Sequence, residues 1–531
     1  MTKESEITHS PNDDEPQQRP VHNTPRDRPH AETLDTVYQA KAELLNSAFQ
    51  EIGFGKYQWH LFFLAGFGWL ADNVWQVSSY LILPPVAQEF SARGPLLYLA
   101  LYVGLAVGTF VWGLGSDVWG RKVSFNTTLA VAGVFGMVAA ASPTFASLAV
   151  FVTIWGLGCG GNLPVDSSIF LEFIPGTHEY LLTVLAMWWS IGQVLTCLIA
   201  WPFIANYSCD PAAATCDRKD NMGWRYHLIT MGAIMLVLWV LRFFIFPMYE
   251  TPKYLMGRGR FTEAVEVVHA VAKYNGKASN LTVEQLQNAG IEPNNLDEKS
   301  RDVESTGPPP LDTSGRAIIK RRFKHFNVRH VSALFETKTM ALSTSVIIAV
   351  WGTGYMPWPL YSTFIPYYFA TRGADFGDGS VYITYRNQVI IATIGMVGAV
   401  VGGLVVEVPF LGRRGTLAIS TIITGVFLFA STTARSSNTL LGWNCGYGFT
   451  SNIMYGTLYG MTPELFPTKD RGTGNGIAAT VNRVFGIMSP IIALYADLMT
   501  SVPIYVSGSL FIVAGLLAFL LPFEPRGRAS L

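Results

Sequence analysis

The chain has 531 residues, half of them hydrophobic and only 14% charged, with a formal net charge of zero. A soluble domain carries roughly 25% charged residues, so the main body is not a water-soluble fold. The absence of a basic excess removes nucleic acid as a partner.

Residues 1–57 are expected to be a cytoplasmic N-terminal tail, largely disordered, because its first 32 residues are rich in Pro, His, Asp and Arg with little to bury. No secretory signal peptide is expected at its start. Twelve apolar runs follow, near residues 58–84, 95–116, 122–142, 146–172, 181–205, 226–247, 340–369, 383–407, 415–434, 438–462, 473–498 and 503–522. Each approaches the ~20 residues that cross a hydrocarbon core. They must be helices, since lipid offers no partner to unpaired backbone groups. The connections holding Arg121-Lys122, Arg413-Arg414 and Lys469-Arg471 alternate with basic-poor ones. The positive-inside rule therefore puts both termini in the cytoplasm.

The stretch GLGCGGN places Gly156, Gly158 and Gly161 at dinucleotide-loop spacing. It lies inside one apolar run long enough to cross a bilayer, however, and not in the water-accessible strand–turn–helix unit that a cofactor site needs. Gly156 and Gly160 instead read as a surface for close helix packing.

The long break at 248–339 divides the chain into bundles at 58–247 and 340–522, leaving a cytoplasmic tail at 523–531. Val265, Val268 and Ala272 share a helical face in that central loop. The segment EKSRDVESTGPPPLDTSG reads as linker, and Lys320-Arg321-Arg322-Phe323-Lys324 as a juxtamembrane charge cluster. In the outward loop between the fifth and sixth spans, Cys209 and Cys216 are placed to form a disulfide. Asn206, in the sequon Asn-Tyr-Ser, is placed for glycosylation. The sequons at Asn126 and Asn280 fall on the cytoplasmic side and are expected to be silent. Cys159, Cys197 and Cys445 are isolated, and no metal site is expected.

The halves repeat. Gly120-Arg121-Lys122 matches Gly412-Arg413-Arg414, and Glu172-Phe-Ile-Pro matches Glu464-Leu-Phe-Pro, each at an offset of 292 residues. Parallel repeats of this kind build transporters whose halves rock around a central site.

The twelve helices with their central loop, GLGSDVWGRKV, TPKYLMGRGR and MTPELFPTKDRGTG together resemble the major facilitator superfamily over roughly residues 50–525. GFGKYQWHLFFLAGFGWLADNVW and LEFIP resemble its synaptic-vesicle-protein-related and fungal sugar-transporter-like branch. The resemblance implies an all-α integral membrane protein with two pseudo-symmetric six-helix bundles. It also implies transport of small polar organic solutes, commonly coupled to protons. By the same resemblance Asp117, Arg121, Glu172, Arg413 and Glu464 are gate residues, and Asp166 joins them by its depth. The second copy is degraded, with Pro409 where Asp117 has its counterpart and Glu407 two residues earlier. The arginine that many proton-coupled members carry on the fourth helix is replaced by Val152.

Coupling must then use other buried charges. Asp72 lies about 18 Å into the membrane and Arg483 about 14 Å, at 1.5 Å per helical residue. Intramembrane charges face a cavity or a partner. Asn73, Trp75, Gln76, Asn162, Gln193, Asn452 and Tyr455 are the polar and aromatic candidates for the substrate and proton pathway. No ATP loop, HExxH or GxSxG motif is present, so neither an enzyme nor a primary pump is expected. The reading is a secondary active transporter of an organic acid, sugar or related metabolite, taken up with protons by alternating access. It requires neither a cofactor nor oligomerisation, and the plasma membrane is favoured over the vacuole. Efflux of a metabolite or toxin, a solute sensor and an ion channel are the alternatives.

Overall fold

The computed structural model describes residues 30–178, 181–210, 213, 215–290, 331–332, 334–361, 365, 380–466, 471–495 and 500–522. The linker at 298–315, the basic run at 320–324, Lys469 and the C-terminal tail at 523–531 lie outside these residues. So does the side chain of Asp117.

The first half holds α2 (Lys56–Leu81), α3 (Leu83–Phe90), α4 (Pro95–Trp119), α5 (Arg121–Ala139), α6 (Phe145–Phe173), α7 (Leu181–Asn206) and α8 (Gly223–Val240). A π-turn, Leu241–Ile245, prolongs α8. The second half holds α12 (Lys338–Tyr355), α13 (Val381–Val405), α14 (Gly412–Ser431), α15 (Ser437–Met461), α16 (Arg471–Tyr495) and α17 (Val502–Ala518). Among the described residues nine of these helices are long and apolar enough to cross a membrane by length and composition, α12 reaching Tyr361. With α2, α15 and α17, which are more polar or shorter, the twelve expected spans are all present as helices.

The packing repeats as the motifs do. In the first half α2 packs on α7, α4 on α6 and α5 on α8; in the second α12 packs on α16, α13 on α15 and α14 on α17. The two largest contacts between the halves, α4 with α16 and α7 with α13, are related by the same exchange. Gly156 and Gly160 bring α6 against α4: an added Cβ at Gly156 would fall 2.7 Å from the Leu101 carbonyl, and Thr109 Oγ1 donates to the Gly160 carbonyl at 2.9 Å. The glycines serve helix packing, as their apolar setting indicates.

One expectation is corrected. Residues 30–52, assigned to a loose tail, form α1 (His30–Ile52). Leu45, Ala48, Phe49 and Ile52 are buried against α9 (Pro252–Gly257), α10 (Phe261–Tyr274) and α11 (Val283–Asn288). The polar composition of the first 32 residues hid an amphipathic segment immediately behind it. These four helices cover one end of the first bundle, termed here the loop face; the opposite end is the far face. Val265, Val268 and Ala272 are buried on α10, on one helical face as expected. On the far face Cys209 and Cys216 form a disulfide. Asn206 is exposed nearby, its Nδ2 donating to the Pro202 carbonyl of its own helix.

Candidate functional site

Among the described residues, two groups of ionisable residues lie inward of the far face. The first surrounds Asp72 at mid-depth. Asp72 is fully buried on α2, and its Oδ2 accepts from Gln76 Nε2 at 2.8 Å and Trp189 Nε1 at 3.1 Å. Gln76 is one helical turn beyond Asp72, so the two side chains share a face. Its Oε1 accepts from Tyr102 at 3.4 Å and from Tyr355, in the other half, at 3.3 Å. Arg483 on α16 is in electrostatic range of Asp72, Tyr102, Tyr355 and Tyr459. It keeps 8% exposure and forms no hydrogen bond or ion pair with a described residue. Trp189 is flanked by Trp358, Tyr455 and Tyr459, with ring centroids at 5.9, 6.3 and 6.5 Å.

The second group lies toward the loop face. Arg121 Nη2 pairs with Glu172 at 3.3 Å, and its Nη1 donates to Ser168 Oγ at 2.6 Å. Glu250, just after the π-turn, accepts from the backbone N–H of Arg121 at 2.9 Å and so caps α5, where the helix dipole favours an anion. Burial raises its carboxyl above the ordinary value, opposed by the N–H groups of Thr251, Lys122 and Arg121. The turn into α5 needs Gly120, at φ +107°, and the turn into α14 needs Gly412, at φ +60°. In the second half Arg413 pairs with Glu464. Asp166 forms a separate ion pair with Arg242 at 2.7 Å, and the guanidinium lies 3.0 Å from the centroid of the Phe125 ring.

A family model of the Major Facilitator Superfamily matches residues 61–408 and 389–531. The chain belongs to the major facilitator superfamily. It is 54% identical, over 94% of its length and 93% of the relative's, to "MFS siderochrome iron transporter 1" of Ceriporiopsis subvermispora. It is 40% identical, over 93% and 89%, to "Major facilitator-type transporter hxnZ" of Emericella nidulans. A third relative, "Niacin transporter NiaP" of Acinetobacter baylyi, is 24% identical over 85% of this chain and 90% of its own. The fold matches the partially occluded inward-open xylose transporter XylE from E. coli with a TM-score of 0.62, at 15% identity, over 89% of this chain and 99% of that one. As a facilitator-superfamily member the chain is a membrane transporter, not an enzyme.

This facilitator contains a cavity of about 350 Å³ between the halves, running from Trp189, Ser190, Asn452 and Tyr455 toward Glu407 and Arg413. Trp189 forms part of its wall and also holds Asp72, so the cavity and the buried carboxylate are neighbours across one indole. Asn452 accepts from Ser190 at 3.0 Å, linking α15 to α7.

Other expected pathway residues lie elsewhere. Trp75 is fully buried and stacks on Trp155 at 5.0 Å, packed where Gly136 leaves room, so it fills the first bundle and does not line the cavity. Asn73 donates to the Trp189 carbonyl at 2.6 Å, which ties α2 to α7. Asn162 is fully buried beside Gly68, in the layer of Asp166. Gln193 lies beside Tyr80 on the far-face side of the same half. Val152 is buried in the core, where the family's arginine would have been. Sequence reasoning missed Tyr102, Tyr355, Ser190, Glu250 and Arg242. An inventory of every charge inside or beside a span would have found Glu250 and Arg242; the aromatic residues carry no such signal.

Proposed function

We propose that this transporter takes up a small organic acid together with a proton, with Arg483 anchoring the carboxylate and Asp72 carrying the proton. The observation that carries this reading is the state of Arg483. A guanidinium at the membrane centre costs about 3 kcal/mol. This one has neighbouring tyrosines and Asp72 in electrostatic range but no bond to a described residue. A carboxylate would complete it bidentately. Anion binding at Arg483 would leave Asp72 less compensated and readier to bind a proton. The rings of Trp189, Trp358 and Tyr455 suit a planar acid, in keeping with the relative named for niacin.

The loop face is the cytoplasmic side under the positive-inside rule, with both termini inside and the plasma membrane as location. Arg121 with Glu172, Arg413 with Glu464, and Asp117 serve as gate elements that time closure of that side. Uptake is favoured over efflux by the coupling route itself, since an inward proton gradient drives an acid inward through Asp72. Asn206 is the glycan acceptor on the outside.

Uptake into vesicles tests the reading, using heterocyclic carboxylates, sugars and a ferric hydroxamate chelate, each with and without an imposed pH gradient. Accumulation of a carboxylate only when the outside is acidic supports it. Accumulation of the ferric chelate alone would favour the second reading, which the name of the 54%-identical relative recommends.

A further inference from the structure

We propose that Tyr385 is the latch that closes the far face, by supplying the donor that Pro85 denies to the carbonyl of Leu81. In a regular helix the carbonyl of residue 81 accepts from the N–H of residue 85. Here residue 85 is proline, which has no N–H. The neighbouring carbonyls find local partners: Ile82 N–H reaches Ser78 at 3.0 Å and also bonds Tyr80, and Val86 N–H reaches Ile82 at 3.1 Å. The Leu81 carbonyl takes its donor from the other half, the hydroxyl of Tyr385 on α13 at 2.5 Å. Leu81 is fully buried and Tyr385 nearly so. Beside them Trp201 of α7 packs on Tyr382 of α13, with centroids 5.2 Å apart.

The pairing makes one backbone group sensitive to the state of the transporter. When the halves part at the far face, water can serve the Leu81 carbonyl. When they close, water leaves, and a buried carbonyl without a donor is strongly penalised. The Tyr385 hydroxyl removes that penalty in the closed form alone. Conformational equilibria shift only through such differential interactions. The latch is independent of the cargo, so its test does not depend on the proposed substrate.

The test measures distances between spin labels at Arg93→Cys and Arg435→Cys, two exposed far-face positions in opposite halves, in the full chain carrying Cys445→Ser and reconstituted in lipid. Tyr385→Phe should raise the population of the long-distance, far-face-open form at least about fivefold. In a Pro85→Ala background the helix regains its own donor, and Tyr385→Phe should then shift the population by less than about twofold. Should Pro85→Ala fail to insert, Pro85→Ser restores the same N–H. An unchanged distance distribution in Tyr385→Phe overturns the proposal, and so does an equal shift in both backgrounds.

Discussion

Arg242 Nη2 lies 2.7 Å from Asp166 Oδ1, with both side chains at zero exposure. The pair joins α6 to the π-turn after α8, and Gly68 on α2 leaves the space that the Asp166 carboxylate occupies. Removing one partner of such a pair typically costs 3–5 kcal/mol, because an uncompensated charge stays buried, whereas replacing both is often nearly neutral. Arg242→Met should therefore lower the thermal midpoint and membrane yield severely. Arg242→Met with Asp166→Leu should recover much of the loss. The check is a thermal series on purified single and double variants; equal damage from both would mean that the pair itself contributes net stability.

The Asp166 and Arg242 pair also marks where sequence reasoning stops. Asp166 stands in the middle of an apolar run and announces itself as a buried charge. Arg242 lies close to the end of its span and reads as a residue that reaches to the membrane surface. The π-turn at Leu241–Ile245 changes the helical register there, and a π-turn carries little sequence signature. By contrast the twelve helices and the repeat of the halves were legible, because apolar length and a repeated offset are properties of the chain alone. Trp75 misled for the opposite reason. Its neighbours Asp72 and Gln76 do face the centre, but a step of three residues from Asp72 turns the indole into the bundle, against Trp155.

Trp189 holds Asp72 from the cavity side, so two substitutions separate proton coupling from packing. Asp72→Asn should retain exchange of labelled for unlabelled solute while losing accumulation driven by a pH gradient. Trp189→Phe keeps most of the ring stack but removes the N–H donor to Asp72, and should shift the pH dependence of uptake with a smaller change in maximal rate. Continued accumulation by Asp72→Asn under an acidic exterior would give the carboxylate a structural role.

Arg483→Gln should weaken binding of a carboxylate by about tenfold to a hundredfold, as expected for the loss of a charge-assisted bidentate contact worth roughly 1.5–3 kcal/mol. Neutral analogues of the same shape should bind with little change. Competition binding with matched acid and amide pairs distinguishes this from general damage, which would affect both alike.

On the far face Glu89 receives Arg225 Nη2 at 2.6 Å, together with Trp224 and Asn221 at 3.0 Å. Burial alone would raise the Glu89 carboxyl, but Arg225 and the other donors outweigh it and leave it below its ordinary value of 4.5. A depressed carboxylate stabilises the fold above its unfolded-state value, and that contribution is lost as pH falls through the folded one. Thermal midpoints should therefore drop as pH falls below about 4.5. Glu89→Gln should start lower and lose much of that acid dependence; an acid slope equal to that of the parent chain would assign it to other groups.

Arg121→Gln removes the pair with Glu172 and leaves the backbone cap from Glu250 in place. Turnover should fall several-fold while solute affinity stays within about twofold, because the pair is partly exposed and lies away from the Asp72 layer. Initial rates together with equilibrium binding decide this, and a loss of affinity would place the solute nearer the loop face.

The helix α1 has a consequence for how the protein is made. Lys277 Nζ donates to the Ile52 carbonyl at 2.6 Å across a sequence separation of 225 residues, and Phe49 and Ile52 are buried in the same cluster as Val268 and Leu286. During synthesis the greasy side of α1 leaves the ribosome well before α10 and α11 exist. It must wait, shielded by a chaperone or by the lipid surface, until the whole first bundle has been inserted. Docking of α1 is therefore a late step of biogenesis, and a stalled or misinserted first bundle leaves an exposed apolar helix for quality control to find.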